Sequence, residues 1–109
     1  MHELTVTQSI VDTVAEHAGA AQVTCVRIRV GLLSGVIPHA LRFCFEAVTA
    51  GTTLQNARLV IVEQSGMGLC HTCDITLSLT DLILRCPCGS VDVAITAGRD
   101  LTIESIEVI

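Results

Sequence analysis

The chain has 109 residues and a formal net charge of −5. Half of its residues are hydrophobic, but only two are aromatic, Phe43 and Phe45. This length predicts one compact unit, and its core must be aliphatic. The acidic balance and the scarcity of aromatic side chains disfavour nucleic-acid binding, which depends on a basic surface and on stacking. No apolar run approaches the roughly 18 residues of a membrane span and no signal peptide is visible, so we expect a cytoplasmic protein.

The N-terminal half alternates between helical and strand patterns. Apolar residues at helical spacing predict a helix over 4–17, with Gly19 as its stop. Alternation over 22–31 predicts a half-buried strand. A second apolar stripe predicts a helix over 38–50, because Pro38 suits the first turn of a helix. Within these segments Cys25 and Cys44 are interpreted as small core residues.

Strand patterns dominate the C-terminal half. Residues 57–63 read as a second strand, and alternation resumes over 91–95. The last strand is predicted over 101–109. Its apolar phase shifts between Ile103 and Ile106, which indicates a β-bulge near Glu104.

Four cysteines lie between the second and third of these strands. Cys70 and Cys73 form one pair, and Cys86 and Cys88 form another pair after twelve intervening residues. Two thiolate pairs at the ends of a short hairpin are typical of a tetrahedral structural zinc site. Two disulfides or four free thiols are the alternatives, and a reducing cytosol argues against disulfides. His71, inside the first pair, is an alternative fourth ligand to Cys88.

These elements predict an α+β fold with an inserted module. Two helices and a three-stranded sheet form a small domain from residues 1–65 and 94–109. Residues 66–93 form a zinc-ribbon-like hairpin module. Apolar side chains on the hairpin are predicted to cover the metal: Ile75, Leu77, Leu79, Leu82 and Leu84.

The N-terminus is a second candidate metal site. A free α-amine on Met1, the backbone amide of His2 and its imidazole can close adjacent chelate rings, and the Glu3 amide or carboxylate can supply a fourth donor. Square-planar sets of this kind suit nickel(II) or copper(II). A frayed terminus without metal is the alternative that these three residues leave open. His39, at the start of the second helix, is interpreted as an exposed residue.

The chain resembles the hydrogenase and urease nickel metallochaperone family, HypA/HybF, along nearly its whole length. The motifs that carry this resemblance are Met1-His2-Glu3-Leu4, Gln8-Ser9-Ile10-Val11, Gly31-Leu32-Leu33-Ser34-Gly35-Val36-Ile37-Pro38, Leu41-Arg42-Phe43-Cys44-Phe45-Glu46, the two cysteine pairs, and Leu101-Thr102-Ile103-Glu104-Ser105-Ile106-Glu107-Val108.

The resemblance implies a metal carrier and not an enzyme. It implies nickel bound by the terminal amine, His2 and Glu3, and structural zinc bound by Cys70, Cys73, Cys86 and Cys88. It also implies two partners, a nickel-insertion GTPase of the same pathway and the hydrogenase large subunit. We expect a monomer or a weak homodimer that binds neither nucleic acid nor membrane.

One departure from the family pattern affects the zinc site. The second cysteine pair usually reads Cys-Pro-x-Cys-Gly, whereas here it reads Cys86-Pro87-Cys88-Gly89. The shorter turn leaves the fourth ligand open between Cys88 and His71. Two other functions also remain alternatives: a small zinc hydrolase with a water in an open metal position, and a zinc-ribbon adaptor that binds only protein.

Overall fold

The computed structural model describes residues 2–109, and His2 by its backbone alone. The described chain forms two helices and two three-stranded sheets, which confirms the predicted α+β fold. None of the described helices is long and apolar enough to span a membrane. The elements in chain order are α1 (His2–Ala18), β1 (Val23–Gly31), α2 (Pro38–Thr49), β2 (Arg58–Gln64), β3 (Gly66–Cys70), β4 (Thr76–Leu79), β5 (Val93–Ala97) and β6 (Leu101–Val108).

The first sheet has the strand order β2-β1-β6. β1 runs parallel to β2, because α2 crosses between them, and antiparallel to β6. The predicted alternation of β1 is confirmed from Val26 onwards, since Val26 and Ile28 are fully buried while Arg27 is exposed. Cys25, predicted to share the face of Arg27, is buried instead. Both helices pack on the buried face, and their side chains complete a core that is aliphatic except for Phe45: Ile10, Val11 and Val14 from α1, and Leu41 and Phe45 from α2.

The ends of the helices follow local rules. α1 ends at Ala18, and Gly19 follows with φ +62° while its N–H bonds to the Ala15 carbonyl at 3.0 Å. A glycine in the left-handed region is a common helix stop, because it has no Cβ to strain. α2 begins at Pro38, as predicted, where proline's missing N–H costs nothing.

The predicted bulge at Glu104 is confirmed. Arg27 pairs with Ser105 and Ile28 pairs with Ile103, so Glu104 is the extra residue on β6. Its carboxylate lies 3.2 Å from Arg27 Nε and 2.7 Å from an Arg29 Nη2 atom. The hydrogen bond from Arg29 and the charges of both arginines lower the pKa of Glu104.

The second sheet has the order β4-β3-β5, with both pairings antiparallel. It therefore extends to Ala97, four residues beyond the predicted end of the module at residue 93. Its core is small, with five buried residues: Leu33, Cys70, Leu79, Cys86 and Val93.

The two sheets meet where the backbones approach too closely for side chains. A Cβ on Gly31 would overlap the carbonyl of Gly98, and a Cβ on Gly98 would lie 2.5 Å from the Gly66 Cα. Two backbone hydrogen bonds hold the loop after β1 at this junction, each at 2.8 Å. The Leu32 N–H donates to the carbonyl of Gln64 at the end of β2, and the Leu33 N–H donates to the carbonyl of Gly98 just after β5. This loop therefore anchors the second sheet to the first.

Candidate metal centres

The four predicted cysteines converge on one point of the second sheet. Cys70 ends β3 and Cys73 lies in the following turn, while Cys86 and Cys88 lie in the long loop between β4 and β5. All four sulfurs lie within 4.8 Å of one another, and no other group of three or more potential ligands forms among the described side chains. Cys70 and Cys86 are buried, whereas Cys73 and Cys88 are exposed.

The distances between the sulfurs fit a metal better than disulfides. Cys70 Sγ lies 3.8 Å from Cys88 Sγ, and Cys73 Sγ lies 3.6 Å from Cys86 Sγ. Four sulfurs at about 2.3 Å from a zinc ion lie about 3.8 Å apart in a regular tetrahedron. A disulfide needs about 2.05 Å between sulfurs. These two distances are close to the spacing around a tetrahedral zinc ion and far from that of a disulfide.

Each cysteine pair lies on a tight turn. After Cys70, the Asp74 N–H bonds to the Cys70 carbonyl at 2.8 Å, and Asp74 has φ +59°. Aspartate tolerates this left-handed conformation better than most residues. In the second turn the Gly89 N–H bonds to the Cys86 carbonyl at 2.8 Å, and Gly89 has φ +95°. The shortened Cys-Pro-Cys turn therefore closes and still brings its second sulfur to the cluster.

The surroundings of the four thiols favour a bound cation. The backbone N–H of Cys73 donates to the Cys70 sulfur and, against burial, lowers the pKa of Cys70 to about 6. The backbone N–H of Cys88 favours the Cys86 thiolate, but burial and the neighbouring sulfurs raise the pKa of Cys86 to about 12. Four crowded thiols cannot all lose their protons without a compensating positive charge nearby. A divalent metal at their centre would supply it, and the sulfur set suits zinc.

The geometry favours Cys88 over His71 as the fourth ligand. His71 Nδ1 lies 3.2 Å from an Asp92 carboxylate oxygen, and both side chains are largely exposed. His71 does not belong to the group of converging sulfurs, whereas Cys88 does.

The apolar cover of the cysteines differs in part from the prediction. Leu79 is buried, and Leu77 and Leu84 pack partly against the cluster. Ile75, just before β4, and Leu82, in the loop after β4, are exposed and do not take part in this cover. Leu33, which the sequence places in a loop of the other sheet, takes part in the cover instead. No local pattern marks this role, since Leu33 joins this core only through the tertiary fold.

The N-terminal candidate is described in part. Met1 and the His2 side chain lie outside the described residues, and the His2 backbone begins α1. A carboxylate oxygen of Glu3 accepts a hydrogen bond from the Ile37 N–H at 3.3 Å, and the Glu3 carbonyl accepts one from the Thr7 hydroxyl at 2.6 Å. Residue 3 is thus held beside the start of α2.

Comparisons with known proteins cover the whole chain. Residues 1–108 match the family model described as hydrogenase/urease nickel incorporation, metallochaperone, hypA. The hydrogenase maturation factor HypA of Geotalea uraniireducens is 40% identical over 109 residues, covering 99% of both chains. That of Nostoc punctiforme is 43% identical over 108 residues, covering 99% of this chain and 96% of the relative.

A solved structure shares the fold. The solution structure of the Ni metallochaperone HypA from Helicobacter pylori matches with a TM-score of 0.67 and covers 98% of this chain and 97% of that chain. Its sequence identity is 24%, so this likeness concerns the fold alone.

Proposed function

Because the chain belongs to the HypA family of hydrogenase and urease nickel-incorporation metallochaperones, we propose that it binds nickel(II) at its N-terminus and delivers it during maturation of a [NiFe] hydrogenase. The observation that carries this proposal is the match to the family model, which begins at residue 1 and so includes the candidate chelate. The recipients in this proposal are a nickel-insertion GTPase and the hydrogenase large subunit.

Nickel is held by Met1, His2 and Glu3. The α-amine, the His2 amide and the His2 imidazole supply three nitrogens of a square-planar set, which suits nickel(II). We assign the fourth position to the Glu3 amide, because the Glu3 carboxylate already accepts a hydrogen bond from Ile37.

Zinc is held by Cys70, Cys73, Cys86 and Cys88 and has a structural role. Four sulfurs fill a tetrahedron, which leaves no position for the water that a zinc hydrolase activates. The spacing of the four sulfurs supports this assignment. The zinc-ribbon adaptor differs from the carrier only in lacking nickel, so metal content separates the carrier from the two other functions. Hydrolytic activity then separates the hydrolase from the adaptor.

The test combines metal analysis with two changes at the N-terminus. Zinc-loaded protein titrated with nickel is expected to contain one zinc and one nickel. His2→Ala, and separately a peptide extension ahead of Met1 that converts the amine to an amide, should abolish specific nickel binding and leave zinc in place. His17→Ala is the matched control, because His17 is an exposed histidine at the other end of α1. Unchanged nickel affinity in the extended protein would refute the terminal-amine site.

A further inference from the structure

An apolar groove lies between the first turns of α1 and the outer side of α2. It has a volume of about 490 Å³, and its walls are the side chains of Leu4, Ala40, Phe43 and Ala47. Phe43 is 74% exposed and Leu4 is 48% exposed, whereas Phe45, two residues along α2, is buried in the core. Large exposed apolar side chains that line one concavity mark an interaction site more often than isolated ones do.

One end of the groove is polar and lies at the proposed nickel site. Glu3 and His39 line this end, and Glu3 is one of the three residues to which we assign nickel. A protein seated in the groove would therefore lie against the residues that hold the metal.

The exposed surface of α1, which adjoins the groove at Leu4, is acidic. α1 contains Glu3, Asp12 and Glu16 and no lysine or arginine. Leu4 begins a row of exposed side chains along α1, which continues at intervals of four residues with Gln8, Asp12 and Glu16. We call these last three residues the acidic ridge. The one arginine of α2, Arg42, donates from Nη1 to the Leu59 carbonyl of β2 at 2.5 Å, which holds its charge toward the sheet edge.

We propose that this groove docks a segment of a partner protein that inserts an apolar side chain beside Phe43 and flanks it with lysine or arginine. Buried apolar and aromatic anchors supply most of the affinity of such interfaces, and complementary charge supplies specificity and association rate. A second copy of this chain is disfavoured as the occupant, because it would bring the same carboxylates against the acidic ridge. The role of this partner as the recipient of nickel rests on the proposed function, whereas the docking itself does not.

The test uses a fluorescein-labelled synthetic amphipathic helix built of leucine and lysine, with fluorescence anisotropy as the readout. The same helix with glutamate in place of lysine is the charge control and should not bind. Phe43→Ser is expected to weaken binding of the lysine peptide about tenfold or more, the loss of one interface anchor. Ile83→Ser is the matched variant, because Ile83 is also 74% exposed but lies in the loop after β4, and it should bind as the wild type does.

Charge reversal tests the ridge separately. Asp12→Lys with Glu16→Lys should slow association and reduce its salt dependence, with a smaller effect on dissociation. Phe43→Ser and the Asp12→Lys, Glu16→Lys double variant change only exposed side chains, so an unchanged midpoint of thermal unfolding is the check that each variant folds.

Several results would overturn the proposal. These are no binding of the lysine peptide, equal weakening by Phe43→Ser and Ile83→Ser, or equal binding of both peptides. A concentration-dependent dimer that Phe43→Ser abolishes would make a second copy the occupant. Nickel affinity, measured on the same variants, should stay at the wild-type value. Failure of the nickel site would appear in that titration and failure of docking in the anisotropy, so the two are distinguishable.

Discussion

Replacing Leu33 by alanine should loosen the cysteine module, although Leu33 belongs to a loop of the first sheet. Leu33 is 5% exposed and is the one fully buried member of the second core that comes from outside residues 66–97. Its side chain packs so closely on Gly66 that a Cβ there would overlap it. The variant therefore removes the apolar contact that joins the two sheets.

The expected magnitude follows from the size of the second core. A buried Leu→Ala change costs about 2–5 kcal/mol, the sum of lost transfer free energy and the cavity left behind. A core of five buried residues has few neighbours that can collapse into such a cavity. If the substitution lowers the free energy of local opening of the module by only about 2 kcal/mol, the population of the open module rises roughly 30-fold.

Zinc release to an excess of a chromogenic chelator measures this opening. Leu33→Ala should release zinc roughly 30-fold faster than the wild type, since the metal leaves from the open module. Leu32→Ala is the control, because it makes the same change one residue earlier, where the side chain is 40% exposed. Equal release rates for the two variants would refute the packing role of Leu33.

Three further predictions concern the cysteine turn, the bulge and the junction. Cys88→Ser should lower zinc affinity while His71→Ala retains it, measured by competition with a chelator; the reverse order would make His71 the fourth ligand. Glu104→Gln should make the free energy of unfolding depend less steeply on pH in the acid range. The native carboxylate has a lowered pKa, so its stabilising contribution is present above the unfolded pKa of about 4.3 and is lost as the pH falls through the native value; urea midpoints that decline in parallel with those of the wild type would contradict this. Gly98→Ala should cost about 1–3 kcal/mol or more of unfolding free energy, because its Cβ would lie 2.5 Å from a backbone Cα across the junction. Gly35→Ala, also at positive φ but in open space, should cost less, and equal losses in chemical denaturation would show that backbone strain alone matters.

Local patterns predicted the elements of this protein well. Alternation along β1 identified its buried face, because successive side chains of a strand point to opposite sides. The phase shift in the last strand located the bulge at Glu104, since one extra residue reverses that alternation. The cysteine spacing predicted the cluster, because paired cysteines at the two ends of a short hairpin are typical of a zinc site.

The contacts between distant segments followed no local pattern. The pairing of β5 with β3, which extends the second sheet to Ala97, depends on which free edge the returning chain meets. The exposure of Leu82 depends on the path of a loop that has no periodicity.

Sequence patterns predicted the helices, most of the strands, the two cysteine pairs and the candidate chelate at Met1, His2 and Glu3, because each depends on spacing within a few residues. The convergence of the two cysteine pairs follows from the hairpin between them. Only the tertiary structure decided that Leu33 completes the core of the cysteine module, that Ile37 bonds to the Glu3 carboxylate, and that Phe43 faces a groove. These contacts join segments 30 or more residues apart, as the separation of 34 positions between Glu3 and Ile37 illustrates. The free energy that selects them comes from burying apolar surface and pairing polar groups across the whole chain, which no local pattern records.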